Sequence, residues 1–499
     1  MTRPADLFDR ITEWADLERF VASPAPGLRI GILYGRRRTG KSFLLRRLCR
    51  AHGGQYHMAQ EEEPLPALQR FADAVAAGRG LASGQLRFRD WDEGLRTALR
   101  PLPGAGDQAA APLLVIDELP YLLAHPLGAQ IPSALQALVD ESRDDPEAVR
   151  GRVILCGSAL AVMSDLLSGA RALRGRAELD LLLKPFDYRT SASYYGIENT
   201  ETAFRAYAFF GGTPGYRDLL GGASPQTRSD LDELLLDTVF NPSHALFGEA
   251  GYLLREDPRI QDRALYLSVL GAVAAGATTP SKVAAAIGRD QRSLHHPLDV
   301  LITSGFLVKD EDLLLQRRPV LRLADPVVRL HQLVTVPRLA AFEERKAAPA
   351  WKAAAQTVSA QILGPSFEQL AREWTARYAS ERTKGGPTGE IGSTVVNDSA
   401  GRAQHELDVV ALGVGERRQA GAPVVRAIGE AKSSDRARTL SDLERLDHIR
   451  KLLTARGVHA ADAKLLLFGR SGFDVNLTEA ASGRRDVELV DLERVWGGE

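Results

Sequence analysis

Cysteine is almost missing from these 499 residues: Cys49 and Cys156 stand far apart and outside any metal-ligand spacing. Two such thiols argue against a cysteine-based zinc site and fit a reducing cytoplasm. An excess of one charge is missing too. The 63 Lys and Arg side chains nearly balance 64 Asp and Glu, for a formal net charge of -1. Nucleic-acid binding therefore gains no support from bulk charge and needs a local patch. Long apolar runs are absent as well. Those present, such as LLVI, are broken by charges well short of a membrane span. The first residues, MTRPADLFDR, carry acids and no apolar stretch of the secretory kind. A cytoplasmic protein with no membrane association is the expectation.

What is there is a chain too long for one core, with about three domains expected from its length. Phe8, Ile11, Trp14, Leu17 and Phe20 recur at helical spacing, SPAPG breaks that helix, and LRIGILY follows as a buried strand. Helical character resumes from Thr39, with another helix around Leu65 to Ala77. Apolar strands are expected at Pro112 to Ile116, ending on Asp117 and Glu118, and at Arg152 to Cys156, ending on Gly157 and Ser158. Strands alternating with helices predict a mostly parallel sheet of the α/β class. After Pro185 the pattern turns helical, with GGTPGY at 211–216 as a break. Three helical stretches and a two-strand ribbon (FLVKD and LLLQRRPVLRL) follow from residue 262. Pro337 to Thr357 reads as a connection, and from Gly364 the order is helix, three strands, helix, strand.

The first chemical signal is Gly35, Gly40, Lys41 and Ser42 in the spacing G-x-x-x-x-G-K-[ST], after a strand and opening a helix. Glycines allow the tight loop and the close approach that phosphate oxygens need, with inward N–H groups and a helix N-terminus favouring the anion. Lys41 would meet the β- and γ-phosphates and Ser42 would hold Mg2+; Arg38 and Thr39 belong to the same loop. Asp117 and Glu118 supply the acids such a site requires, Asp117 for Mg2+ and Glu118 to orient the attacking water. Ser158 is placed either as a γ-phosphate sensor or as a helix N-cap. Arg176 is a candidate to neutralise transition-state charge. No guanine-reading Asn-Lys-x-Asp motif occurs, which favours ATP over GTP.

GRRRTGKS, LLVIDELPYLL, VILCGSALAVM, RGRAELDLLLKPF and FFGGTPGYRDLL together resemble the prokaryotic ATPases of the AAA+-related STAND group, often called archaeal-type ATPases. The resemblance spans roughly residues 8 to 335. It implies a P-loop ATPase core (1–186), a helical lid (187–261) and a winged helix (262–335), working as a nucleotide-gated switch. It also implies that Gly212-Thr213-Pro214 contacts nucleotide, through Pro214. Ser158 departs from the Asn or Thr of many AAA+ sensors.

Within 262–335, Pro280 to Ile287, a turn at Gly288, and Gln291 to Thr303 have the cadence of a helix-turn-helix. Arg289, Gln291, Arg292, His295 and His296 would face a DNA groove, unless the fold is a protein–protein module inside the ATPase. His295 and His296 are adjacent, about 100° apart on a helix, and make no natural metal pair.

Beyond a connection at 336–360, residues 361–499 hold a second constellation. Glu430 and Lys432 are two apart at a strand end and share a face, where they can converge with Asp408 on the neighbouring strand. Two carboxylates there would bind Mg2+ and the lysine would position a water beside a phosphodiester. The set resembles the PD-(D/E)xK nuclease superfamily over roughly 361–480. The resemblance implies that Asp408 and Glu430 are metal acids, Lys432 the catalytic lysine and Glu368 an added helical metal ligand. Leu407 stands where the motif name has Pro. Glu406 shares the face of Asp408 and is an auxiliary candidate, while His405 points the other way. The expected whole is an ATP- and Mg2+-dependent switch gating a winged helix and a nuclease-like domain on DNA or RNA. The rival is a signalling or scaffold ATPase whose inactive nuclease-like domain binds protein partners or a second copy.

Overall fold

A computed structural model describes residues 3–100, 111–145, 149–169, 171–255, 257, 259–315, 319–416 and 422–499. LRIGILY forms β1 (Leu28–Tyr34) in the middle of a five-stranded sheet ordered β2-β3-β4-β1-β5, with β2 at Gln55–Met58, β3 at Leu113–Asp117, β4 at Gly151–Gly157 and β5 at Ala177–Leu182. Every pairing is parallel. The inner strands are apolar on both sides because helices cover both faces. Ile30, Ile32, Leu114, Ile116, Val153 and Leu155 meet Phe71, Val75, Leu95, Leu135 and Leu138 on one face. Leu33, Val115, Ile154 and Cys156 meet Trp14, Leu17, Leu44, Leu45 and Leu48 on the other. β2 and β5 lie outside the expected strands. QYHM is short, and AELDLL alternates half-buried and exposed as an edge does.

The helices that follow include Tyr188–Tyr195, Thr200–Phe210, Gly215–Leu219, Arg228–Asp237 and Glu249–Leu254. Asp187, Asn199 and Thr227 each accept a backbone N–H at a helix start, a side-chain cap of the kind worth about 1 kcal/mol. Three helices, Arg263–Ala274, Pro280–Ile287 and His295–Thr303, then lead to an antiparallel ribbon of β6 (Leu307–Asp310) and β7 (Val320–Leu323). Gly288 takes φ 66° at the turn. Gln291–Leu294 is a 3-10 turn ahead of the second helix, where a continuous helix was expected. Residues 316–318, inside the expected ribbon, lie outside the described residues.

The stretch expected to be a connection is helical and packed. Leu339–Glu343 and Ala347–Ala353 are helices. Phe342 is fully buried and stacks on Phe240 at 4.8 Å, and Trp351 packs on Phe240 while its Nε1 donates to Asp232 at 3.0 Å. Apolar anchors in an alanine-rich segment give it a core side that a flexible linker lacks.

The carboxyl-terminal sheet runs β12-β11-β10-β9-β8, with β8 at Thr388–Asp398, β9 at Ala403–Gly413, β10 at Val425–Lys432, β11 at Lys464–Gly469 and β12 at Val487–Val490. β8, β9 and β10 are antiparallel; β10, β11 and β12 are parallel. The Gly364–Arg377 helix covers one face, with Phe367 and Trp374 beside Val409, Ala427 and Phe468. The Leu440–Ala455 helix covers the other, with Leu443 and Leu446 beside Val410, Ile428 and Leu467. One apolar cluster joins the first of these faces to the helices around 188–240. Phe204 meets Phe367 at 5.6 Å, Tyr188 meets Trp496 at 5.0 Å, and the Tyr188 hydroxyl donates to the Val495 carbonyl at 2.9 Å. Each fully buried aromatic of this kind contributes about 1.5–3 kcal/mol.

Candidate nucleotide-binding site and a second acidic site

The loop between β1 and the Lys41–His52 helix sits where β1, β3 and β4 end. Gly40 has φ 94°, a left-handed conformation that side chains rarely adopt, and it opens the helix. Lys41 is 5% exposed, and its ammonium donates to the carbonyls of Gly35 at 2.8 Å and Arg36 at 3.0 Å. Two neutral carbonyls do not compensate a buried cation, so the site is built for an anion. Ser42 follows as the second residue of the helix. Thr39 is buried and closes the loop through Oγ1 to the Arg36 carbonyl at 2.8 Å.

Asp117 is wholly buried at the end of β3. Its Oδ1 accepts the Glu118 amide at 2.9 Å and its Oδ2 accepts the Tyr56 hydroxyl at 2.5 Å. Burial and the Asp117 charge push the Tyr56 phenol above its ordinary range, so it stays a donor. Tyr56 lies on β2, an element not legible in the sequence. Glu118 has φ 53° and its carboxylate is held by Ser158, from the amide at 3.2 Å and from Oγ at 3.0 Å. The helix after β4 is not capped by a side chain. Ser158 thus spends its hydroxyl on Glu118, and the N-cap alternative is not realised.

Two loop arginines pair with buried carboxylates. Arg38 makes a forked pair with Glu249 at 2.8 and 3.0 Å, and Glu249 is 1% exposed. Arg36 pairs with Asp325 at 2.8 Å and lies over the Phe306 ring at 5.0 Å. Asp325 also caps the Pro326–Leu330 helix, its Oδ1 accepting the Val328 amide at 2.9 Å. Arg38, a nucleotide-binding candidate, thus commits its guanidinium to Glu249. Its carbonyl instead accepts the Gly215 amide at 3.0 Å. This docks Gly212-Thr213-Pro214 on the loop, with Pro214 Cγ 4.0 Å from where a Cβ on Gly40 would stand.

Arg176 is a second correction. It precedes β5, whose first residue Ala177 pairs with Ile30, whereas the loop begins after Tyr34 opposite Leu182. Five strand steps, roughly 16 Å, put it at the other end of the sheet. Its guanidinium pairs with Asp140 at 2.9 Å.

In the carboxyl-terminal domain β9 carries an extra residue. Gly392 pairs with Val410 and Thr394 with Leu407, so Asp408 and Val409 together oppose Ser393. Such a bulge re-aims side chains. Asp408 lies between Glu368 on the Gly364–Arg377 helix and Glu430 on β10. Its Oδ2 accepts the Ala431 amide at 2.8 Å. Burial, then the charges of Glu368 and Glu430, push its carboxyl up to about 7. Burial also raises Glu368, with Glu406 adding to it.

The expected metal set does not close. Among the described residues, Glu368, Asp408 and Glu430 do not bring a ligand atom each to within 4.8 Å of one another. Glu430 is held by Arg445 and, at 3.3 Å, by Arg438. Lys432 lies 3.9 Å from Glu430 and is bonded to Asp442. The physical reason is charge: buried carboxylates recruited cations that the motif spacing does not reveal. Arg438, Asp442 and Arg445 were all missed, since nothing in their spacing distinguishes them from a solvated helix. Within residues 262–335, Arg289, Arg292, His295 and His296 are exposed and Gln291 is half-buried.

No family model and no curated protein matches this chain. Among solved structures, a Walker-type ATPase of Pyrococcus abyssi aligns at TM-score 0.48 and 21% identity, over 66% of this chain and 97% of that one. The ORC2 protein of Aeropyrum pernix, solved as ADPNP–ADP complexes, aligns at TM-score 0.45 and 13% identity, over 70% and 97%. CDC6p from Pyrobaculum aerophilum aligns at TM-score 0.33 and 14% identity, over 69% and 96%. No helix among the described residues is long and apolar enough to cross a membrane.

Proposed function

We propose that the protein binds and hydrolyses ATP with Mg2+, and that the state of its phosphate loop sets the posture of the winged-helix and carboxyl-terminal domains on nucleic acid. One loop with two roles carries this reading. Its Lys41 is a buried cation in search of an anion, while its Arg36 and Arg38 grip Asp325 and Glu249. An anion that reorganises the loop must act on both grips. Lys41, the N–H groups of 40–42 and Ser42 would hold the nucleotide, with Asp117 and Ser42 on Mg2+, whose chemistry would be to neutralise phosphate charge. Glu118 would orient the attacking water once it leaves Ser158. Arg289, Arg292, His295 and His296 are the nucleic-acid face.

For the carboxyl-terminal domain, the ion pairs that hold Glu430 and Lys432 favour binding over cutting. The second reading is a PD-(D/E)xK-like nuclease in which Mg2+ draws Glu368, Asp408 and Glu430 together. One assay tests the loop and a second separates these two readings. Lys41→Ala should weaken ATP binding by about tenfold or more, the worth of a charged hydrogen bond; unchanged affinity would overturn the loop assignment. Mg2+-dependent nicking of plasmid or cleavage of RNA, lost in Asp408→Ala, would establish the second reading. Equal inertness of both proteins would leave a binding domain.

A further inference from the structure

The connection from β8 to β9 brings a third set of side chains together on the sheet face opposite Glu406. Asp398 ends β8, His405 lies near the start of β9, and His448 reaches across from the Leu440–Ala455 helix. One donor atom of each lies within 4.8 Å of the other two. His448 Nε2 is 3.0 Å and His405 Nε2 is 3.8 Å from Asp398 Oδ2. We propose that Asp398, His405 and His448 form a binding site for a divalent transition metal of the zinc class.

Four observations support it. The donors are two imidazole nitrogens and one carboxylate oxygen, a set that suits zinc and its neighbours better than Mg2+. In a tetrahedral zinc site ligand atoms stand roughly 3.3 Å apart, between the two nitrogen-to-carboxylate separations of 3.0 and 3.8 Å. The carboxylate is also oriented from behind. Asp398 Oδ1 accepts the Gly401 amide at 2.8 Å, which leaves Oδ2 for the two histidines, as outer contacts of metal ligands do. Finally, His405 Nε2 is buried and has no hydrogen-bond partner among the described residues. Most buried polar atoms are paired, so an unpartnered ring nitrogen beside a carboxylate and a second imidazole is a natural place for a metal ligand. Solvent supplies the fourth position, because the His448 side chain is 51% exposed. The metal would tie the β8–β9 connection to the helix behind it and so fix the strand that carries Asp408.

The test uses the full chain, stripped with chelator and dialysed, without nucleotide. Zinc is titrated calorimetrically, and Co2+ is followed by its visible ligand-field absorption, which distinguishes nitrogen-containing four-coordinate sites from six oxygens. The expected result is one zinc per chain and a Co2+ band, with affinity down at least about tenfold in His448→Ala and in His405→Gln. The exposed His448 makes its variant a safe folding control, checked by an unchanged circular dichroism spectrum. Asp408→Asn should keep the site. Zinc should also raise the wild-type melting temperature, and not that of His448→Ala. No zinc bound at micromolar concentration overturns the proposal. So does binding that survives both histidine variants or disappears only in Asp408→Asn, which would place the metal on the carboxylates.

Discussion

Glu118 and Ser158 are joined twice: the Ser158 amide and hydroxyl both donate to the Glu118 carboxylate, at 3.2 and 3.0 Å. A carboxylate that accepts two hydrogen bonds is a weaker acceptor for a water proton. Ser158→Ala removes one of them and should raise ATP turnover while leaving nucleotide affinity unchanged. Glu118→Gln should keep binding and slow turnover by about a hundredfold or more, the usual worth of a general base. Steady-state phosphate release beside equilibrium nucleotide binding measures both. Turnover that falls in Ser158→Ala would show that Ser158 positions Glu118 for catalysis instead of withholding it.

The Arg38–Glu249 pair is unequal in its burial, with side chains 24% and 1% exposed. Removing Arg38 strands a carboxylate in the interior, at a cost of about 3–5 kcal/mol. Removing Glu249 leaves a guanidinium that can still reach water. Arg38→Ala should therefore lower the melting temperature more than Glu249→Ala, and the double variant should recover part of the loss. Equal effects, or a worse double variant, would mean that the fork is not what holds the loop to this helix.

The parts legible in the sequence were those that local chemistry dictates. LRIGILY, LLVID and the Gly40-Lys41-Ser42 turn announce themselves, because a buried parallel strand must be apolar on both faces and Gly40 takes φ 94°, which glycine adopts at no steric cost, where the loop enters the helix. β5 was not legible as a strand, since an edge strand may carry Glu178 and Asp180 on its open face. Arg176 was misplaced for a related reason. Its distance along the chain from the phosphate loop says nothing of which end of a parallel strand it occupies until the pairing of Ala177 with Ile30 is known. The cations around Glu430 come from Arg438 and Arg445, eight and fifteen residues onward. Only the fold brings them back.

Arg176→Ala gives a direct check of that correction. The Asp140 side chain is exposed, and water screens ion pairs of this kind so that they add little to stability. ATP turnover and affinity should equal those of wild type, with the melting temperature within about a degree or two. A large loss of turnover with intact nucleotide binding would require Arg176 to act on a nucleotide, for instance one held by a second copy of the chain.

Asp408 gives the last prediction, which turns on pH. Its carboxyl is pushed up to about 7, first by burial and then by Glu368 and Glu430, whereas an ordinary aspartate titrates near 3.8. Between those values the folded chain holds a proton that the unfolded chain has released, so this group's contribution to stability falls as pH rises from about 4 to about 7. Above that window both states are ionised and the cost is constant; below it both are protonated and the contribution vanishes. Asp408→Asn keeps an oxygen for the Ala431 amide but removes the titration. With metals chelated, the variant should melt above wild type near pH 8, and the difference should shrink steadily toward pH 4. Added Mg2+ should raise the wild-type melting temperature near pH 8 if the three carboxylates can gather around it, and leave Asp408→Asn unmoved. A variant less stable than wild type by the same margin at every pH would remove charge repulsion as the governing property of this cluster, and with it the reason for a cation to bind there.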